Sequence, residues 1–183
     1  MAISAGGLRQ ALDQLADLRS NPVTVEEALE RVVATADTLF GVDGTALMLV
    51  DRDQALRNLA VSDARAALLE ELQAEHDEGP CLDAFEGKEP VAADDLTTED
   101  RWPAFAPAAA SGGLLAVLAS PIPYSDQAVG VVAVFGGQVV GGHRLLVLEG
   151  VHAGALAVLG LELLQQGRPG VGDGQVAQRL VAV

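Results

Sequence analysis

Residues 114–122 (LLAVLASPI) and 128–135 (AVGVVAVF) are two apolar runs separated only by Pro123-Tyr124-Ser125-Asp126-Gln127. Neither run alternates polar with apolar residues, so a strand made from either has no face suited to water and must be covered on both sides. The connection is rich in turn formers and has a length that joins antiparallel neighbours. A chain carrying this pair needs a layered domain, with these strands at the centre of a sheet and helices above and below it.

The rest of the chain supplies the covers. Leu8, Leu12, Leu15 and Leu18 share one face of a short amphipathic helix that Ser20-Asn21-Pro22 breaks. Thr24 and Glu27, in capping-box spacing, open a second helix with Leu29, Val32, Val33, Ala36 and Leu39 directed inward and Gly41 at its end. Residues 44–50 are an apolar run too short for a helix. Asp51-Arg52-Asp53 separates this run from residues 55–61, where Leu56, Leu59 and Val61 recur, and a β-hairpin is predicted. A helix over 63–75 is predicted to turn Ala64, Ala67, Leu68 and Leu72 inward and to keep Arg65, Glu70, Glu71 and Glu75 on an acidic outer face.

Gly79-Pro80 and Gly87 bracket a helix of two turns, proline suiting the first helical position, with Cys81, Leu82, Ala84 and Phe85 available to pack. Pro90 precedes a short strand at 91–93, and Pro103 starts a helix through Phe105 and Ala108 that Gly112-Gly113 ends. Beyond the two apolar runs, an irregular connection leads to a long final helix over 143–166, and the glycine-rich stretch after it reads as a flexible tail. The predicted organisation is an N-terminal helix and linker over 1–22, one domain over 23–166 and a tail over 167–183. The fold class is α+β: a three-layer α/β/α domain with a central, mainly antiparallel sheet of about five strands, the first and last helices on one face and the middle helices on the other.

Charge and composition narrow the function. With 26 acidic against 11 basic residues the formal charge is −15, a field that repels the phosphate backbone, so direct nucleic-acid binding is not expected. The single cysteine cannot form an internal disulfide, and with three histidines it offers too few ligands for a closed zinc site. Arg9, Gln10, Asp13, Gln14 and Asp17 interrupt what would have to be the apolar core of a signal peptide, and the chain is expected to be cytoplasmic. Residues 145–164 come nearest to a membrane span, but Glu149 and Glu162 would both be costly in hydrocarbon, so no membrane association is expected and a buried or dimer-forming helix is preferred.

Three groups of residues carry a likeness to a known family. They are Glu78-Gly79-Pro80-Cys81-Leu82-Asp83-Ala84-Phe85; Pro90-Val91 with Asp94-Asp95-Leu96; and Arg101-Trp102-Pro103-Ala104-Phe105-Ala106-Pro107-Ala108-Ala109, followed by Val129-Gly130. Together they resemble the GAF sensory domains of actinobacterial signalling proteins. The resemblance implies a central antiparallel sheet, a helical face used for dimerisation and, on the opposite face, a pocket that in some relatives holds a cyclic nucleotide, tetrapyrrole, haem or small metabolite. Similar chains are often followed by an ANTAR output module, a small helical domain that binds RNA. Residues 167–183 are too few and too glycine-rich to form one.

The candidate ligand-pocket residues are His76, Cys81, Phe85, Trp102 and Phe105. Trp102 and Phe105, three apart across a helix start, offer a stacking wall for a flat ligand or close the core. Cys81 sits in a first helical turn, whose dipole lowers a thiol pKa, while Glu78 and Asp83 raise it; packing as a small hydrophobe is the simpler role. His76 borders the expected pocket or is merely solvated. Asp94, Asp95, Glu99 and Asp100 suit capping and solvation better than a cation, and no metal site is assigned. No nucleophile motif or phosphate loop is present, and these residues name no cofactor.

On the last helix, Leu145, Leu148, Val151, His152, Ala155 and Leu159 are the candidate dimer interface. Its small residues Gly150, Ala153, Gly154, Ala157 and Gly160 would let a second helix approach closely, and a homodimer is expected. The function expected is a non-enzymatic sensory domain that binds a small molecule or partner and signals through that interface. The alternatives are a ligand-free dimerisation module of a transcription antitermination regulator, and a redox enzyme using Cys81.

Overall fold

A computed structural model describes residues 25–40, 42–124 and 126–136. Helix α1 (Val25–Phe40) precedes strands β1 (Gly44–Val50) and β2 (Leu56–Val61). Helices α2 (Ala64–His76) and α3 (Pro80–Gly87), strand β3 (Val91–Ala93) and helix α4 (Phe105–Ser111) follow, and strands β4 (Ala116–Tyr124) and β5 (Gln127–Gly136) close the described chain. The strands form one antiparallel sheet of order β2-β1-β5-β4-β3, which places the two apolar runs and β1 in the middle as their composition requires.

The strand period of two divides these residues between two cores. Ala46, Met48, Val117, Ala119, Val131, Ala133 and Phe135 face α2, α3 and α4, where they meet Ala66, Leu69, Cys81, Ala84, Trp102 and Phe105. Leu47, Leu49, Leu118, Ile122, Val132 and Val134 belong to the opposite core with Leu29, Val33 and Ala36 of α1. The register Ala46↔Ala133↔Ala119 keeps one face of the three central strands small, and α3 lies over β3, β4 and β5 on this side with its own small residues inward. α2 lies over β1 and β2. At the far end of α1, the Thr45 hydroxyl donates to Asp37 Oδ1 at 2.5 Å and ties that helix to the first strand.

Several boundaries differ from the sequence-based expectations, each for a physical reason. The β4–β5 connection is tighter than expected, because Tyr124 still pairs with Gln127. α4 begins at Phe105, two residues after Pro103, since residues 101–104 are occupied in tying down Trp102. β2 is an edge strand with Arg57, Asn58 and Leu59 exposed, so Leu59 does not join a core. The largest correction concerns α2. Its buried stripe is Ala66, Leu69, Glu70 and Gln73; of the residues expected inward, Ala67 and Leu72 are half-buried, Leu72 against the core, whereas Ala64 and Leu68 are exposed. The Asp63 carboxylate caps the helix by accepting from the Ala66 amide at 2.9 Å, and the face turned inward is the one that answers α3 with acceptors.

No helix among the described residues is long and apolar enough to cross a membrane. The predicted N-terminal helix, the final helix with its interface candidates Leu145, Leu148, Val151, His152, Ala155 and Leu159, and the tail lie outside the described residues.

Gly130 marks the tightest strand approach: a Cβ there would run into the Met48 carbonyl oxygen and come within 2.6 Å of Leu49 Cδ2. The carbonyl belongs to the β1 backbone and cannot yield without disturbing the ladder. Gly130→Ala is therefore expected to cost at least about 2 kcal/mol in urea unfolding. Gly87→Ala, whose nearest neighbour atom would be 3.5 Å away, should change stability by less than about 1 kcal/mol. Equal effects at the two positions would contradict the β1–β5 register.

Candidate functional site

The face of the sheet covered by α2, α3 and α4 holds the chemistry-bearing residues. The residue at the cap position of α4 is Ala104, whose side chain cannot cap, and the missing acceptor comes from far upstream in sequence. Glu78 Oε1 accepts from the backbone N–H groups of Ala104 at 2.6 Å and Phe105 at 2.7 Å. One turn into α3, Asp83 Oδ2 accepts from Trp102 Nε1 at 2.9 Å. Arg101 completes the arrangement. It donates to the Ala92 carbonyl of β3 at 2.6 Å, pairs with Glu99, and lies 4.4 Å from the centre of the Trp102 ring. The Arg101 hydrogen bond holds the Glu99 carboxyl below the usual carboxylate range. These contacts form a clasp joining α3, α4 and β3 around one buried indole.

Beneath the clasp is a second group, all of it buried. Gln73 Oε1 accepts from the Cys81 backbone N–H at 2.8 Å, which serves one of the free amides at the start of α3. The Cys81 thiol donates to Glu70 Oε1 at 3.8 Å. Glu70, Gln73 and Cys81 are 5 %, 1 % and 0 % exposed. Burial pushes the Glu70 carboxyl up to about 8, so the group is neutral at pH 7. Burial, and next the Glu70 carboxyl, push the Cys81 thiol well up, away from a reactive thiolate. Gly79, at φ +143°, closes over this group, and a Cβ there would lie 2.5 Å from Gln73 Cγ. The backbone conformation and the space both require glycine.

A family model described as GAF domain matches residues 22–150. The chain belongs to the GAF domain family. GAF domains act for the most part in sensing and signalling. The GAF domain from Acinetobacter phosphoenolpyruvate-protein phosphotransferase is 16% identical, with a TM-score of 0.60 over 98% of this chain and 97% of that one. Free methionine-R-sulfoxide reductase from Neisseria meningitidis, in complex with its substrate, is 17% identical with a TM-score of 0.59, covering 93% of this chain and 97% of that one. The GAF-B domain of DevS from Mycobacterium smegmatis is 22% identical with a TM-score of 0.50, covering 78% of this chain and 96% of that one. At these identities the likeness is one of fold. No curated protein sequence matches the chain.

Within this GAF fold, Cys81, Trp102 and Phe105 fall in one buried cluster, with Phe85 packed half-buried against it. Trp102 and Phe105 meet edge to face, ring centres 6.0 Å apart at 86°, and at 2 % and 0 % exposure neither shows a free stacking face. His76 ends α2, half-buried and outside that cluster. The residues expected to raise the Cys81 pKa, Glu78 and Asp83, serve the clasp instead; burial and Glu70 raise it. Glu70, Gln73 and Arg101 were not among the sequence candidates. The signal available was the spacing of Ala66, Leu69, Glu70 and Gln73, which places both polar residues on one helical stripe with two apolar ones. Asp95 accepts from Thr97 as a local turn former, and no cluster of groups able to hold a metal occurs among the described residues.

Removing the Glu78 carboxylate leaves two amides of α4 without an acceptor. Glu78→Ala is expected to destabilise the protein by about 1–2 kcal/mol and to shift the fluorescence of the sole tryptophan, Trp102, as α4 loosens; Glu78→Gln should retain part of the effect. An unchanged emission and unfolding midpoint would show the clasp to be idle. Glu70 gives a pH test. The unfolded chain ionises this carboxyl near its ordinary value while the folded protein keeps it neutral to about 8. Stability contributed by the neutral group is thus full at low pH and is lost as pH climbs through that window. Glu70→Gln should therefore gain on the parent protein between about pH 5 and pH 8, by on the order of a few kcal/mol in urea denaturation. A stability difference that stays constant across that range would contradict a buried neutral Glu70.

Proposed function

We propose that this chain is a non-enzymatic GAF sensory module, cytoplasmic and homodimeric, that takes a small molecule beneath α2–α4 and passes the event to its helical interface. The observation that carries this reading is the way the signature residues are used. Glu78, Asp83 and Trp102 hold the helical cover together by polar links, and Arg101 fastens it to the edge strand β3, while over the central strands the cover meets the sheet through apolar contacts. Such a cover suits two arrangements, clasped and parted, and a ligand that contacts them differently shifts their populations. Leu145, Leu148, Val151, His152, Ala155 and Leu159 are the residues through which a second copy would register the shift. The family resemblance adds transcription regulation as an output, exercised through a partner.

The likeness to the Neisseria free methionine-R-sulfoxide reductase raises an enzyme reading in which Cys81 attacks a substrate. That chemistry needs an accessible thiolate, and a second thiol to regenerate it. Cys81 is buried, its pKa is raised and it is the only cysteine in the sequence, which favours the sensor.

Native mass spectrometry of the purified chain tests the proposal. A dimer retaining a small molecule of defined mass, in the parent and in Cys81→Ser alike, is the expected result. A strictly monomeric, ligand-free spectrum at micromolar concentration would overturn it.

A further inference from the structure

Two buried polar atoms, Glu70 Oε2 and Gln73 Nε2, have no partner among the described residues. Both side chains are otherwise committed, since each Oε1 accepts from Cys81, one from the thiol and one from the amide. Both atoms left over can therefore donate. Gln73 Nε2 carries two N–H groups, and a neutral Glu70 whose Oε1 accepts from the thiol keeps its proton on Oε2. Both atoms offer donors that no oxygen among the described residues meets. The pair is also held in place: Gly79 permits Gln73 to fill the space above it, and positions 70 and 73 lie on one face of α2, within reach of the same cysteine. A buried donor left unmet costs about 1–3 kcal/mol, and such groups are ordinarily met by an internal water.

We propose that Glu70 Oε2 and Gln73 Nε2 form an internal site for one acceptor oxygen between α2 and α3, filled by water in the resting protein and by the carbonyl oxygen of a neutral ligand when one is bound. Neutrality follows from the surroundings. The cluster around Cys81 consists of Ala66, Leu69, Ala84 and other apolar residues, with no buried lysine or arginine among the described residues, so a carboxylate would sit there without a counter-charge. The ligand half of this inference rests on the sensory reading above; the water half does not.

NMR of the full chain separates the outcomes. The Gln73 side-chain amide signals are assigned by their loss in Gln73→Met. In the parent protein they should show cross-relaxation with a long-lived water. Acetamide, a small neutral carbonyl probe, should displace that water and shift the signals, whereas methylammonium, which has no acceptor, should leave them in place. Glu70→Leu should weaken acetamide binding by about tenfold or more. A water signal with acetamide inert would support the site with water as its sole occupant. A folded protein with neither response, or one that takes methylammonium as readily as acetamide, would overturn the site. A small molecule retained in native mass spectrometry whose removal leaves the Gln73 signals unmoved would overturn the ligand half of this inference and leave the sensory proposal standing.

Discussion

A sheet whose middle strands are apolar on both faces must hold a layer of helix against each, and on one side that layer is made from pieces too short to stand alone. α2, α3 and α4 have 13, 8 and 7 residues, at or below the length at which a helix is marginal in water. Their ends carry a large share of their backbone polar groups, so each depends on an acceptor supplied from outside its own turns. Asp63 serves α2, Gln73 serves α3 and Glu78 serves α4. α2 is thus completed by the residue before it, α3 by the helix it touches and α4 by the turn that precedes α3, and the small residues of the sheet let α3 settle close enough for this to work.

The same logic explains an interior that is polar where it need not have been. Gln73 is the acceptor that the start of α3 requires, and holding it there imposes glycine at position 79. Glu70 then stands beside a thiol, out of water, where a carboxyl stays neutral. A purely apolar stripe on α2 would pack more cheaply but would leave the Cys81 amide unanswered. Glu78, Asp83 and Trp102, which carry the family resemblance, therefore hold short helices in place, while the buried carboxyl and amide lie one helix earlier.

What the sequence revealed followed the range of the interactions. The bounds of α3 at Pro80 and Gly87 and of β3 at Val91–Ala93 were legible because proline and glycine punctuate the chain locally. The central strands were legible because burial on both faces leaves an unbroken apolar run. The inward face of α2 is only partly legible, because two stripes compete there: Leu72 of the more apolar stripe packs against the core, while Ala64 and Leu68 of the same stripe are exposed. No propensity argument turns Glu70 inward; its reason is Cys81, eleven positions away. Of the site, Cys81, Trp102 and Phe105 were visible as residues, but the pairing of Glu78 with α4 and of Asp83 with Trp102 comes only with the tertiary structure.

The cap on α4 has a consequence for how the molecule is assembled. Its acceptor comes from a residue 26 and 27 positions before the amides it serves, so the helix cannot be nucleated by its own sequence. The first turn of residues 105–111 thus rests on a long-range contact, whose closure costs more chain entropy than a local cap would. α4 is consequently a conditional element, tied to the turn before α3 through one carboxylate. A substitution that moves the turn before α3 therefore reaches α4 directly, through that one carboxylate.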